Sequence, residues 1–158
     1  EAFAAWPVVR DIAGAGADVV LADLGSGNGF PGMPLVYALP ECRAFLVESS
    51  GRKSDFLEVV TQQTGCADRV QVVHQRIKSP GDLDPSVNIA LLRAFPEPSR
   101  WIPDLAESGR AVIAWLAQRD ADSIAASVSG RSPRVLSLPT HPDSALLVLP
   151  LDPASLSR

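Results

Sequence analysis

A run of glycines between two carboxylates is the feature of this sequence with the clearest chemical meaning. The segment Asp23 to Gly32 is Asp-Leu-Gly-Ser-Gly-Asn-Gly-Phe-Pro-Gly, and it follows the apolar residues 19–21. Four glycines in eight residues exclude a regular helix or strand and predict a turn where the backbone approaches a ligand. Glu48 ends the next apolar segment, 23 positions after Gly25. A strand, a glycine-rich turn, a helix, a strand and then an acid is how an α/β sheet holds a nucleoside ribose.

The spacing of the glycines separates two classes of nucleoside cofactor. A dinucleotide fingerprint is G-x-G-x-x-G, and counted from Gly25 its third glycine would fall at Phe30. The sequence has G-x-G-x-G instead, which is typical of S-adenosylmethionine sites in class I methyltransferases. We expect Asp23 near the methionine amine and Glu48 as acceptor for the ribose hydroxyls. As alternatives, Asp23 satisfies amides of the glycine loop, Glu48 caps the next helix, or the turn holds a nicotinamide cofactor or no ligand.

Alternating apolar and amphipathic segments predict the elements that position these residues. The β-α-β order predicts a Rossmann-like α/β fold of the class I methyltransferase type, with helices on both faces of a mostly parallel seven-stranded sheet. The last two strands form its antiparallel edge, with 139–143 as their loop, and we expect residues 1–158 to be one domain. The predicted strands are 19–24, 43–48, 69–74, 87–92, 111–116, 134–138 and 145–149.

Ligands of such sheets bind at the carboxyl ends of the strands, which selects further candidates. Arg93 and Phe95 follow the fourth strand, and a guanidinium beside an aromatic face suits a planar or phosphorylated substrate. The alternative is that Phe95 packs under the loop while Arg93 pairs with Glu97.

Histidines and cysteines offer no comparable site. We expect His74 to be packed in its strand and His141 to be solvated in a loop. Cys42 and Cys66 precede their strands on the opposite rim, so we expect partly buried thiols and no cysteine nucleophile. The spacing of Cys, His and Asp predicts no metal site.

Composition limits the class of protein. The net charge of −4 argues against a sequence-blind nucleic-acid binder but leaves room for a local basic patch. No apolar run approaches the roughly 18 residues of a membrane helix. Two cysteines in 158 residues are typical of a reduced, cytoplasmic protein, which we expect to be a monomer.

Several of these stretches together resemble one methyltransferase family. The matching stretches are residues 23–35, 46–49 with Arg52 and Lys53, Arg76, and 93–95. They resemble the RsmG family, also called glucose-inhibited division protein B, whose members methylate N7 of a guanine in small-subunit ribosomal RNA. The resemblance implies S-adenosylmethionine as cofactor and ribosomal RNA or the small ribosomal subunit as partner. It also implies a set of cofactor-binding residues: Asp23, Gly25, Ser26, Gly27, Gly29, Glu48, Ser49 and Arg76.

The resemblance further implies a substrate side of the site. Arg93 and Phe95 are its catalytic candidates, and the substrate-binding candidates are Pro31, Arg52, Lys53 and Arg93. Guanine N7 already carries a lone pair, so its methylation needs alignment more than a general base.

The chain also departs from the pattern of this family. By comparison with that pattern, we expect residues 1–18 to hold only a small part of the helical segment that usually precedes the first strand. Lys78 stands where members usually have an acid, and Trp115-Leu116 stands where they usually have a lysine. Two alternatives therefore stay open, a small-molecule methyltransferase and a degenerate S-adenosylmethionine-binding interaction module without activity on ribosomal RNA.

Overall fold

Seven strands form a single sheet in the order β3-β2-β1-β4-β5-β7-β6 in the computed structural model. The structure describes residues 2–13, 18–128, 130–139 and 141–152. The strands are β1 Val20–Leu24, β2 Arg43–Glu48, β3 Val70–His74, β4 Ile89–Arg93, β5 Ala111–Ala117, β6 Arg134–Leu138 and β7 His141–Leu149. The helices are α1 Trp6–Ala13, α2 Gly32–Ala38, α3 Gly51–Gln63, α4 Pro98–Glu107 and α5 Gln118–Ser127. Short 3-10 helices span Ala2–Ala5 and Pro80–Asp82.

The central strands are buried on both faces, as their nearly continuous apolar sequences predict. In β4, Ile89 and Leu91 pack on the side of α1, α2 and α3, whereas Ala90 and Leu92 pack on the side of α4 and α5. Strands β1 to β5 are parallel, and β7 is antiparallel to both β5 and β6. The predicted fold class, with helices on both faces and an antiparallel edge, is therefore confirmed.

The strand order reverses beside β1, which pairs with β2 on one side and with β4 on the other. Asp23 lies opposite Leu46 of β2 and Leu91 of β4, so the ends of these three strands meet at one edge of the sheet. A reversal of this kind opens a crevice between the loops that leave the carboxyl ends of the strands. We call this edge the carboxyl edge, and it contains the candidate site.

The predicted loop between the last two strands is largely wrong, because β7 already begins at His141. Ser144 is the first residue of β7 that pairs with β5, so Pro142 lies in the part that extends past β5. Proline lacks an amide donor and is tolerated where a strand has a free side. His141 is exposed as expected, although it belongs to a strand.

Candidate functional site

The loop after β1 turns sharply because three of its glycines have left-handed backbone conformations. Gly25, Gly27 and Gly29 have φ angles of 71°, 57° and 87°, which side chains other than glycine adopt only at a cost. The Gly25 and Ser26 amides both donate to the Val47 carbonyl of β2, at 2.8 and 3.1 Å. The loop is therefore fixed against the end of β2 while its backbone faces the carboxyl edge.

Glu48 connects this loop to the start of α3. Its Oε2 atom accepts from the Gly27 amide at 2.9 Å, and its Oε1 atom accepts from the Ser50 amide at 2.8 Å. Burial alone would raise the pKa of this carboxyl, but these two amides and the Lys53 charge lower it below its ordinary value. Glu48 is thus an ionised acceptor that binds the amide of Ser50, the residue that precedes α3, and it makes no cap hydrogen bond to the described residues of the helix itself. The ribose contact stays a prediction.

Asp23 is more deeply buried than Glu48 and binds the other end of the loop, at Gly32. Its Oδ2 atom accepts from the Gly32 amide at 2.8 Å, and the side chain is only 1% exposed. Burial raises the pKa of Asp23 to about 7, although the Gly32 amide and the Arg93 charge act in the opposite direction. The Ser26 hydroxyl donates to the Asp23 carbonyl at 2.7 Å. The alternative in which Asp23 satisfies a loop amide is what the structure shows, and a contact with the methionine amine stays a prediction.

A cavity of about 610 Å³ opens beside this loop. Four of the predicted residues, Gly25, Ser49, Arg76 and Phe95, contribute to its wall. The Phe95 ring lies against the loop, because a Cβ atom built on Gly25 would come 3.2 Å from its Cδ2 atom. Cavities of this size at the switch point of an α/β sheet suit a nucleoside cofactor. Other described residues that line it are Val47, Gln75, Ile77, Lys78, Ala94, Pro96, Glu97, Arg100 and Trp101.

Arg93 and Phe95 are close in sequence, but their side chains lie on opposite faces of the sheet. Arg93 continues the alternation of Ile89 and Leu91 toward the α2 and α3 side, and its charge acts on Asp23. Phe95 packs with the cluster on the α4 side, where its ring meets Trp101 edge to face at 5.4 Å. Glu97 pairs with Arg100 at 3.5 Å.

The remaining predicted substrate residues lie along the carboxyl edge on the α2 and α3 side. Arg52 and Lys53 are exposed in the first turn of α3. Pro31 is buried as the residue that precedes α2. The structure therefore exposes the two cations at the start of α3 and buries Pro31 between the glycine loop and α2.

The cysteines and His74 differ from expectation in how far they are buried. Cys42 and Cys66 are fully buried and reduced, more than the partial burial expected, and burial raises the pKa of the Cys42 thiol to about 12. We expected His74 to be packed, but it is exposed, because it ends the edge strand β3.

Within the described ranges, no group of three or more His, Cys, Asp or Glu side chains is placed to hold a metal ion. Nor is any helix there long and apolar enough to cross a membrane.

Sequence reasoning missed part of the cavity wall. Ala94 and Glu97 have φ angles of 51° and 53°, an unusual conformation that residues other than glycine adopt mainly where the surrounding structure imposes it. Neither residue type signals this in a sequence. Trp101 carries an aromatic signal, but a tryptophan in an amphipathic helix is indistinguishable from an ordinary core residue.

Comparison with known proteins identifies relatives of this chain. The family profile described as rRNA small subunit methyltransferase G, or GidB, matches residues 5–129. A protein of that name from Rhizorhabdus wittichii is 34% identical over 145 residues, which cover 85% of this chain and 64% of the relative. Another from Myxococcus xanthus is 32% identical over 136 residues, covering 82% of this chain and 61% of the relative. The chain thus spans about three fifths of the length of these two relatives.

Solved structures agree on the fold. Precorrin-6y C5,15-methyltransferase from Geobacter metallireducens superposes with a TM-score of 0.66 at 15% identity, covering 90% of this chain and 85% of that one. The pyocyanin biosynthetic protein PhzM gives 0.69 at 14% identity, covering 96% of this chain and 54% of that one. At such identities these likenesses show the fold alone, whereas the profile and the sequence relatives show the family. This chain belongs to the rRNA small subunit methyltransferase G family.

Proposed function

We propose that the chain is an S-adenosylmethionine-dependent methyltransferase that modifies N7 of a guanine in small-subunit ribosomal RNA. The observation that carries the proposal is the hydrogen bond from the Gly27 amide to the Glu48 carboxylate beside the cavity. It fixes the glycine loop at the carboxyl edge, which is where ligands of such sheets bind. The relatives from Rhizorhabdus wittichii and Myxococcus xanthus are named for the same substrate class, and such a substrate would place the chain in the cytoplasm.

The residues at this edge fit the cofactor. A Cβ atom built on Gly27 would approach only the Gly25 carbonyl oxygen, at 3.8 Å, so the loop backbone borders open space. Ser49, Arg76 and Phe95 line the adjoining cavity. Glu48 would accept hydrogen bonds from the ribose through the remaining lone pairs of its ionised carboxylate.

S-adenosylmethionine, when bound, supplies an electrophilic methyl group. Because N7 of guanine already carries a lone pair, no side chain of this protein has to remove a proton from it. The protein's contribution is then to hold the two reactants in line. We assign Phe95 to the cofactor side, where the cavity lies, and Arg93 to the substrate side, where it faces α2 and α3.

The first experiment compares Gly27→Ala with Gly65→Ala. Both glycines have positive φ angles, 57° and 69°, and both adjoin open space, so each substitution lowers the free energy of unfolding by a similar amount, roughly 1–2 kcal/mol. Only Gly27 lies at the proposed cofactor edge. Calorimetry should show S-adenosylmethionine binding to the wild type and to Gly65→Ala, with affinity at least about tenfold weaker in Gly27→Ala. Equal losses in both variants, or no binding to the wild type, would contradict the proposal.

A second candidate function is favoured by one observation. Lys78 lines the cavity, so the charge reversal relative to the family pattern lies at the site. A chain that binds the cofactor without transferring its methyl group would be an interaction module. A radiolabelled-methyl assay on small ribosomal subunits distinguishes the two, because only the enzyme labels the RNA.

A further inference from the structure

Two phenylalanines are unusually exposed where the glycine loop meets α3. Phe30, in the loop, is 53% exposed, and Phe56, in the second turn of α3, is 49% exposed. Their sequence neighbours Gly29 and Leu57 pack on each other, because a Cβ atom built on Gly29 would come 3.3 Å from Leu57 Cδ2. The two aromatic side chains therefore flank one tight contact between the loop and the helix.

Two cations of α3 lie on the helix face that carries Phe56. Arg52 and Lys53 precede Phe56 by four and three residues, which places both cations on the same helix face as that ring. Asp55 is three residues from Arg52 and lies beside that cation, whereas Glu58 is two residues from Phe56 and faces away from the ring. Glu58 lines a separate depression with β3 residues, on the opposite flank of the helix.

We propose that Phe30, Arg52, Lys53 and Phe56, together the aromatic-basic surface, bind unpaired RNA nucleotides that lead to the site. The rings would stack on nucleobases, and the cations would contact the phosphates between them, which is how proteins bind single strands. This inference rests on the proposed function for the identity of the RNA. It adds that the RNA enters from the α2 and α3 side of the sheet, next to Arg93, and that it is single-stranded there.

Charge complementarity selects RNA as the occupant. The whole chain carries a net charge of −4, yet two exposed cations flank the exposed ring, with only Asp55 beside them, because Glu58 lies on the opposite flank of the helix. An apolar protein partner would use the rings but gain nothing from the cations. A polyanion with flat, unstacked bases uses both.

The test measures fluorescence anisotropy of a short, labelled single-stranded RNA with the full chain, and of the same RNA as a duplex. Phe30→Ala and Phe56→Ala should each weaken single-strand binding by roughly 5- to 100-fold, and Phe56→Trp should restore it. The matched control is Tyr37→Ala, which removes an aromatic ring that is 66% exposed but lies in the last turn of α2, away from the carboxyl edge. Thermal unfolding checks that each variant is folded.

The outcomes separate this inference from the proposed function. Loss of RNA affinity in both phenylalanine variants, with wild-type affinity in Tyr37→Ala and a preference for the single strand, supports it. Unchanged affinity, equal loss in Tyr37→Ala, or a preference for the duplex overturns it. Cofactor binding is measured separately, so failure of the wild type to bind S-adenosylmethionine would count against the proposed enzyme while the RNA titration still decides the role of this surface.

Discussion

Asp23 and Glu48 show how environment gives two carboxylates at one edge different tasks. Glu48 accepts one backbone amide on each oxygen, and these bonds lower its pKa despite partial burial. Asp23 has one such amide at fuller burial, so desolvation prevails and its pKa rises to about 7. Glu48 therefore remains an anion at neutral pH, whereas Asp23 exchanges its proton in that range and responds to the nearby Arg93 charge.

The raised pKa of Asp23 predicts how stability depends on pH. The folded protein retains a proton that the unfolded chain, at the ordinary pKa of 3.8, has lost. The stability that this proton contributes is complete below about pH 4 and is lost as the pH rises through about 7. Asp23→Asn keeps an acceptor for the Gly32 amide without titrating. We expect the wild type to lose free energy of unfolding relative to this variant between pH 4 and 7, and no further above it.

Denaturant titrations at several pH values provide this measurement. Arg93→Ala should move the loss to higher pH, because it removes a charge that favours the ionised carboxylate. A difference between wild type and Asp23→Asn that stays constant across this range would show that Asp23 is ionised throughout.

Among the residues of the site, the sequence predicts those whose role follows directly from the residue type. Glycines in a tight turn and an acid at the end of a strand can be identified from the sequence. Gly27 and Glu48 are indeed joined by a hydrogen bond. The strained Ala94 and Glu97 are not visible, because the surrounding fold imposes a conformation that their side chains disfavour. The placement of Arg93 and Phe95 on opposite faces also requires knowledge of where β4 ends.

At the scale of the element, the charges in the first turn of α3 have the unfavourable sign for the helix dipole. Its first turn carries Arg52 and Lys53 and has no acidic residue, although the positive end of the helix dipole lies there. Lys53 is partly compensated by Glu48, whose pKa it lowers. Positive charge kept at an unfavourable position is a sign of function, because a carboxylate there would stabilise the helix better.

We therefore expect Arg52→Gln to raise the free energy of unfolding by about 0.3–1 kcal/mol while it weakens RNA binding. The matched control is Arg119→Gln. Arg119 is likewise the second residue of its helix, α5, but it lies close to Asp120, at 3.4 Å. Denaturant unfolding and RNA anisotropy should show a stability gain with loss of affinity only for Arg52→Gln. A variant that binds RNA like the wild type would show that Arg52 has no part in the interface.

Elements were predicted best where one signal dominates. Strands β1, β4 and β5 are predictable because buried parallel strands are nearly continuous apolar runs. The predicted ends of β1 to β5 differ from the observed ones by only a residue or two. The start of β7 was missed because Pro142 and Asp143 have the composition of a turn. The pairing of β7 with β5 ends at Ser144, so residues 141–143 of β7 have no partner in β5. The sequence does not show where this pairing ends.

At the scale of the whole molecule, the protein and its proposed RNA partner both carry a net negative charge. A net charge of −4 repels RNA at long range, so attraction must come from cations gathered at one edge. We expect four of these cations to meet phosphates, Arg52, Lys53, Arg76 and Arg93, while Lys78 and Arg100 also line the cavity at this edge. Binding should therefore involve few phosphates and depend more on stacking than it does in strongly basic RNA-binding proteins.

This balance predicts a shallow salt dependence. Each phosphate neutralised on a single strand contributes about −0.7 to the slope of log affinity against log salt, so four contacts give a slope of at most about −2.8. Between 50 and 200 mM salt the affinity should then fall by no more than about 50-fold. Arg52→Gln should reduce the slope by about 0.7, whereas Phe56→Ala should weaken binding at every salt concentration with the slope unchanged.

The two variants thus separate the phosphate and stacking contributions within one surface. Anisotropy titrations of the same single-stranded RNA over this salt range measure both. A slope much steeper than four cations can produce would mean that the RNA contacts include cations other than these four. If Phe56→Ala changed the slope instead of the intercept, the ring would act by positioning Arg52 and Lys53, and base stacking would not be the source of its effect.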